Sequence, residues 1–247
     1  MSLLVPARRY DPNVPEMIED PDADAQLLRD ELKSIRTINR LFGGYAAIRR
    51  GMGLLLADVK KDEISILDLG TGSADLPIYL LELGRRLNRR FQITAIDNHP
   101  RVLEVARERT RRHPEILIET GNLLSPNYPP GAFDIVLCSL TLHHFSREDA
   151  IRIVHSMNLL CQIGFLVNDL DRSWIAAWTT KCYTHLTTRN PMTLTDSYLS
   201  VLRGFTPSEI QDMVSEAGLQ NIKIYRQPFF RFLLIGKRQS GMGPQGL

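Results

Sequence analysis

The sequence predicts an α/β fold: a doubly wound, mostly parallel seven-stranded sheet of Rossmann-like type with an antiparallel last strand, an N-terminal helical cap and a helical lid insertion. Three observations predict it. From Ile64 onward, short apolar runs alternate with segments of helical periodicity, the rhythm of a parallel sheet covered on both faces. The first run, "ISILDL", ends in "GTGSAD", a glycine turn that leads into a helical pattern. The rhythm breaks after Asp169 and is followed by two final strand-like runs, which suit a closing hairpin.

Each element has its own signal. Residues 1–21 contain four prolines and several acids, and read as an extended arm. Residues 22–60 read as a cap of two helices broken at Gly43-Gly44, with Leu27, Leu28, Leu32, Ile35, Ile38, Leu41 and Phe42 supplying apolar positions at three- and four-residue steps. The sheet domain spans 61–238, with strands over Ile64–Leu69, Phe91–Asp97, Glu115–Thr120, Phe133–Ser139 and Gln162–Asn168. Between them lie "LPIYLLELGRRL", "PRVLEVARERTRR", whose Pro100 suits a first helical turn, and "SREDAIRIVHSMNLLC", whose Ser146 and Asp149 make a capping-box-like start. Residues 172–204 are helix-prone, aromatic and out of rhythm, and form the lid insertion. "FTPSEIQDMVSEAGL" carries a full set of helix signals: Thr206 as cap, Pro207 at the first position, Glu209 closing the box and Gly218 at the end. "NIKIYRQP" and "FFRFLLIGKR" are the last two strands, and the tail 239–247 is expected to be loose.

The bulk composition narrows the function. With 247 residues and a net charge of +2, the chain is long enough for one sizeable domain and too near neutral to call for a nucleic-acid or membrane partner. Arginines cluster at Arg85, Arg86, Arg89 and Arg90 and at Arg107, Arg109, Arg111 and Arg112, near predicted helix ends. They suit the negative end of a helix dipole, and the first cluster lacks the interleaved aromatics of an RNA-stacking surface. Cys138, Cys161 and Cys182 are too widely spaced for a zinc knuckle, and no metal site is assigned. Sparse cysteines, no apolar run of bilayer length and only a short apolar run before Pro6 predict a cytoplasmic protein without leader or membrane insertion. A monomer or a homodimer fits equally.

The glycine turn carries the chemistry. A dinucleotide site places G-x-G-x-x-G at a helix N-terminus so that backbone N–H groups meet pyrophosphate. Here Gly70 and Gly72 fit, but the third glycine position is Asp75, and Asp68 adds a second carboxylate at the strand end. Acids at both ends of the turn would repel a pyrophosphate. They suit a ligand with positive charge, such as S-adenosylmethionine, which has no phosphate and carries an ammonium and a sulfonium.

These residues resemble a known family. "DLGTGSAD" is similar to motif I, D-x-G-x-G-x-G, of class I S-adenosylmethionine-dependent methyltransferases, departing at Ala74 where a third glycine is common. Asp97, at the end of "ITAIDNHP" and 27 residues after Gly70, stands where the family places the acid that binds the ribose hydroxyls. "GNLLSPNYPPGAFDIVL" resembles the family's adenine loop and fourth strand, with Asn122 where Asp is usual. The resemblance covers about Ile64–Asp171. It implies donor contacts from Asp68, Gly70, Thr71, Gly72 and Asp75, from Asp97 and Asn98, from Asn122 and Leu123, and from Ser139. It implies S-adenosyl-L-homocysteine as the product. The N-terminal "YDPNVPEMIED … LLRDELKSIRTINRLFGGY" also resembles bacterial methyltransferases of polyketide and phenolic-lipid pathways, and puts Arg36, Asn39, Arg40 and Tyr45 near where the family holds the methionine carboxylate.

An acceptor phenol or alcohol must lose a proton, so a base is needed. "SLTLHHF" follows the fourth strand, making His143 and His144 the base candidates, and Asp169 at the end of the fifth strand could orient the His143 ring. Each residue has a plainer role as well: the histidines could close the loop, and Asp169 could cap the next helix. In the lid, Trp174, Trp178, Tyr183, His185 and Tyr198 are as a set expected to contact a small hydrophobic or aromatic acceptor, although for any one aromatic alone packing on the sheet is the commoner role. The expected reaction is O-methylation of a phenol or polyketide-like hydroxyl in bacterial secondary metabolism. C- or N-methylation, a macromolecular acceptor, an inactive adenosylmethionine sensor and a nicotinamide-dependent oxidoreductase are the alternatives.

Overall fold

The computed structural model describes residues 5–238, and the tail 239–247 lies outside them. Seven strands form one sheet in the order β3-β2-β1-β4-β5-β7-β6. They are β1 (Glu63–Leu69), β2 (Arg90–Asp97), β3 (Ile116–Thr120), β4 (Phe133–Ser139), β5 (Cys161–Leu170), β6 (Ile222–Gln227) and β7 (Arg231–Lys237). Strands β1 to β5 run parallel, and β7 pairs antiparallel with both β5 and β6. The central strands are buried on both faces, which is why β4 and the C-terminal half of β1 are almost continuously buried and apolar apart from Asp134, Ser139 and Asp68.

Helices cover both faces. On one, α2 (Gly44–Leu56) and α3 (Asp75–Arg86) bury Ile48, Met52, Leu80 and Leu83 against Ile64, Ile66, Leu166 and Leu233. On the other, α5 (Arg147–Leu160) and α8 (Pro207–Glu216) bury Ile153, Met157, Ile210 and Met213 against Val136, Phe165 and Phe232. The caps read from the sequence form: Ser146 accepts from Asp149 N–H at 3.0 Å, and Thr206 and Glu209 make a reciprocal capping box behind Pro207.

Three further helices, α1 (Ala25–Leu41), α6 (Trp174–Thr187) and α7 (Pro191–Arg203), stand over the C-terminal ends of the strands, while α4 (Pro100–Thr110) follows β2. Leu28 and Leu32 of α1 share a buried cluster with Val102 and Val105 of α4 and Met192 of α7. The described part of the N-terminal arm is fastened across this roof. Arg9 N–H donates to Leu202 C=O at 3.0 Å, Asp196 accepts from Met17 and Ile18 N–H at 3.0 and 2.9 Å, and Arg8 donates to the Phe145 carbonyl at 2.7 Å. Met17–Glu19 is one short 3-10 turn.

Connections run outward from the middle of the sheet. From β1 the chain goes to β2 and β3 on one side; β4 and β5 lie on the other. The C-terminal ends of β1 and β4 therefore bound the crevice where an open parallel sheet receives its ligand. Among the described residues no helix is long and apolar enough to cross a membrane.

Candidate active site

A cavity of about 660 Å³ opens at this crevice. Its floor is the β1–α3 turn. Gly70 and Gly72 take left-handed φ of +72° and +54°, which lets the turn tighten without a side chain. At Gly70 a Cβ would also lie 2.4 Å from Thr141 Cγ2, so the two loops of the crevice meet there. Ala74 is left-handed too, at φ +56°, so the alanine at the family's third glycine position occupies a glycine conformation.

The acids of the turn have different fates. Asp68 is buried, and burial pushes its carboxyl up to about 7 against the opposing effect of the Thr71 hydroxyl. Its Oδ2 has no hydrogen-bond partner in the protein. Asp75 is engaged: Tyr45 O–H donates to its Oδ2 at 2.9 Å and Asn39 Nδ2 approaches the same atom at 3.4 Å. Asp97, at the end of β2, accepts Gly72 N–H at 3.0 Å and His99 N–H at 3.1 Å, tying the second strand to the glycine turn.

Asp68, Gly70, Thr71, Gly72, Asp75, Asp97, Asn98, Asn122, Leu123 and Ser139 all lie on the cavity wall. Asn122 Oδ1 accepts Leu124 N–H at 2.9 Å, so this amide shapes its own turn. Asn168 Nδ2 donates to Ser139 Oγ at 2.9 Å. The histidine pair stands on a short 3-10 turn after β4 and also faces the cavity.

His143 and Asp169 form a buried dyad. His143 Nδ1 lies 2.6 Å from Asp169 Oδ1, and Asp169 Oδ2 accepts the His143 backbone N–H at 3.2 Å. Burial alone would raise the Asp169 carboxyl, but His143 outweighs it and holds the group below its ordinary range. An ionised Asp169 fixes the proton on Nδ1 and leaves Nε2 as the basic nitrogen. The helix-capping alternative for Asp169 does not hold: the residue lies inside β5, and Ser173 caps α6 by accepting Ala176 N–H at 3.0 Å.

His144 belongs to a different set. Its Nδ1 meets Glu19 of the arm, and Arg203 of α7 lies 3.6 Å from Glu16 and 3.8 Å from Glu19. Burial opposes a charge on His144, but Glu16 and Glu19 more than offset it and raise the imidazole to about 9. At neutral pH His144 is therefore a cation closing the roof, which suits a base poorly. Glu16, His143 and His144 bring ligand-type atoms within 4.8 Å of one another, a metal-like grouping that sequence spacing did not reveal. Arg203 and protonated His144 already answer the Glu16 charge there.

The lid aromatics lie away from the cavity wall. None of Trp174, Trp178, Tyr183, His185 and Tyr198 lines the cavity. Trp178 is 56% exposed, Tyr183 packs edge-on against Phe42, and Trp174 and Tyr198 fill the seam between α6 and α7. The exposed His185 ring bonds the Lys181 carbonyl within its own helix. The lid instead faces the cavity with Thr180, Asp196, Ser197, Ser200 and Val201, and α1 and the arm add Glu31, Leu32, Ile35, Ile38, Glu16 and Ile18. Burial raises Glu31 to about 7 and Asp196 to about 6.

Neither Arg36 nor Arg40 lines the cavity. An arginine that does is Arg231 at the start of β7, opposite Leu170 of β5. Sequence reading missed it, because an arginine in an apolar edge run looks like a solvent-facing position. Its signal was the pairing of "FFRFLL" with the Asp169 strand, which only the sheet order supplies.

Known proteins agree with this architecture. Residues 66–164 match the family described as "Methyltransferase domain". Among solved structures, human N-acetylserotonin methyltransferase in complex with SAM superposes with a TM-score of 0.62 at 16% identity, over 92% of this chain and 61% of that one. An O-methyltransferase family 2 protein from Planctomyces limnophilus, in complex with apigenin, gives 0.60 at 17%, over 89% and 63%. A Nostoc punctiforme protein described as a candidate O-methyltransferase gives 0.55 at 18%, over 77% and 56%. The chain thus spans about three fifths of the length of these proteins, and at such identities the likeness is one of fold. No curated protein matches the sequence significantly. Residues 66–164 thus match a methyltransferase domain, and the fold of the chain is the one these methyltransferase structures share.

Proposed function

We propose that this protein transfers a methyl group from S-adenosylmethionine to a hydroxyl of a small, largely apolar acceptor. One observation carries the reading: a single cavity joins the acid-flanked glycine turn to the His143–Asp169 dyad. Its volume is within the usual range for small-molecule sites.

The residues present fit the donor. Asp68 Oδ2 is a buried acceptor without a partner, as an ammonium site requires, and Asp97 stands at the second strand's end, where ribose hydroxyls could donate to it. When bound, the donor supplies a methyl group already activated on a sulfonium. The protein's work is to orient and to move a proton. Asp169 holds the His143 ring with Nε2 basic; Nε2 takes the acceptor hydroxyl proton, and Asp169 stabilises the imidazolium that results. The arm, α1 and α7 roof the cavity and exclude water.

The acceptor half is apolar along Ile18, Leu32, Ile35, Ile38 and Val201, with the acids Glu16, Glu31 and Asp196 among its lining. That wall favours a hydrophobic ring bearing hydrogen-bond donors, such as a polyhydroxylated phenol. The same acids support N-methylation of an amine as a second reading. The N-terminal resemblance supports bacterial secondary metabolism as the setting, in a cytoplasmic monomer or homodimer. The test is a panel of phenols and aromatic amines incubated with S-adenosylmethionine, read by mass. A 14-dalton gain on a phenol oxygen supports the reading; a panel with no gain on any member counts against it.

A further inference from the structure

The net charge of +2 conceals an uneven distribution. Residues 33–57, 173–195 and 217–238 carry twelve Lys and Arg and no Asp or Glu, so the rest of the chain is acidic on balance. These three segments meet at one aromatic cluster. Phe42, just after α1, packs edge-on against Tyr183 of α6 and Phe229 of the β6–β7 turn, with ring centroids 4.8 and 5.5 Å apart. The apolar surface continues outward from it: Leu41, Leu186 and Phe229 are each more than half exposed, and Phe230 is 39% exposed. Cations flank the patch. Arg40 precedes Leu41 and Arg189 follows Leu186 by three residues; both are exposed, and neither makes an ion pair among the described residues. Arg226, at the base of the turn, has Asp171 at 3.9 Å.

The turn is built at a cost. Phe229 and Phe230 both hold left-handed backbone, at φ +60° and +55°, which glycine and asparagine adopt readily and a bulky side chain does not. Little burial offsets that strain, since both rings stay exposed. An exposed apolar patch flanked by cations calls for a partner that is apolar within and anionic at its surface. An anionic bilayer is both: aromatic rings settle at its headgroup level, and Lys and Arg are drawn to its acidic headgroups. A second copy of this chain, paired through the same face, would set like charges together. We infer that the β6–β7 turn, the end of α1 and the adjoining face of α6 dock this protein on an anionic lipid surface. Among the described residues no helix can cross a bilayer, so the contact is peripheral. The same elements line the cavity through Ile38, Asn39, Thr180 and Arg231, so the docking face adjoins it. On the methyl-transfer reading above, on which this last point rests, the acceptor is an apolar molecule taken from the lipid phase.

Flotation of the full chain with vesicles tests it, using phosphatidylcholine alone and phosphatidylcholine with about 30% phosphatidylglycerol. Wild type is expected to float with the anionic vesicles and to bind the neutral ones at least about tenfold more weakly. The double variant Phe229→Asn, Phe230→Gly removes strain from the folded turn, and is expected to weaken anionic-vesicle binding at least about tenfold. Replacing Arg40 and Arg189 by Gln is expected to weaken it about fivefold per charge. Wild type that does not float with anionic vesicles, or variants that float as well as wild type, overturns the docking face. A concentration-dependent dimer in sedimentation that the double phenylalanine variant abolishes assigns the face to a second copy and also overturns it. Flotation needs neither methyl donor nor acceptor, so its failure is distinct from a failure of the methyl-transfer reading, which the mass-detected panel reports.

Discussion

Replacing Asp169 by Asn changes one oxygen for an NH₂ group and keeps the shape. In the wild type Oδ1 accepts from His143 Nδ1 at 2.6 Å and from Leu170 N–H at 2.7 Å, while Oδ2 accepts from His143 N–H at 3.2 Å. An amide cannot serve all three donors. With its oxygen toward the ring, its NH₂ faces the His143 backbone N–H. With its NH₂ toward the ring, it takes the Nδ1 lone pair, forces the proton to Nε2 and abolishes the base. A positioned base contributes about 10²- to 10⁴-fold, or roughly 3–5 kcal/mol of barrier. The donor-binding wall is untouched. Asp169→Asn should therefore lower kcat by at least about 100-fold at saturating phenol, with donor Kd changed less than about threefold. One buried donor left facing another should also cost about 1–3 kcal/mol of stability in denaturant titration. Stopped-flow or mass-detected turnover beside calorimetry reads both kinetic quantities. A kcat within a few fold of wild type, or a donor Kd that rises as much as kcat falls, would remove the dyad from catalysis.

Other perturbations follow from the same geometry. The His144–Glu19 contact gives a pH signature. His144 is raised to about 9, so its stabilisation is complete below its ordinary value near 6.5 and is lost as pH climbs through about 9; Glu19 is lowered, so its share is lost only as acid protonates it. His144→Gln should thus lower Tm most near pH 6, by roughly 5–10 °C, and hardly at all at pH 10; a pH-independent difference argues against the ion pair. Gly70→Ala places a methyl 2.4 Å from Thr141 at φ +72° and should cost about 1–3 kcal/mol by denaturant midpoint, whereas an unchanged midpoint would mean the turn is not built as described. Trp178→Ala should leave acceptor KM within about twofold, while Ile35→Ala on the cavity wall should raise it about fivefold; the reverse order would restore the lid aromatics to the acceptor site.

What the sequence made legible follows physical range. Strand and helix positions were readable because burial imposes local periodicity: β4 matches its predicted bounds residue for residue, and β5 extends past them at both ends, taking in Asp169. The glycine turn, Asp97 and the dyad were readable because they sit at strand ends, which parallel topology gathers at one edge. The lid was legible as a helix-prone insertion, but neither as two separate helices nor by face. Trp178 and His185 are exposed, and small polar residues such as Ser197 and Ser200 look inward. Aromatic content marks apolar surface without saying which surface it covers. Arg231, Glu16 and Asp196 were out of reach because their meaning comes from contacts with segments more than a hundred residues away, as in Arg231 with Asn39 and Asp196 with Met17.

An acid-flanked crevice should hold a sulfonium nucleoside rather than a phosphorylated one. Titration of the full chain with S-adenosylhomocysteine and, separately, with NAD⁺ tests it most directly. Saturable one-to-one heat with the first and none with the second is the predicted result. Clear uptake of NAD⁺ with no heat from S-adenosylhomocysteine would contradict it.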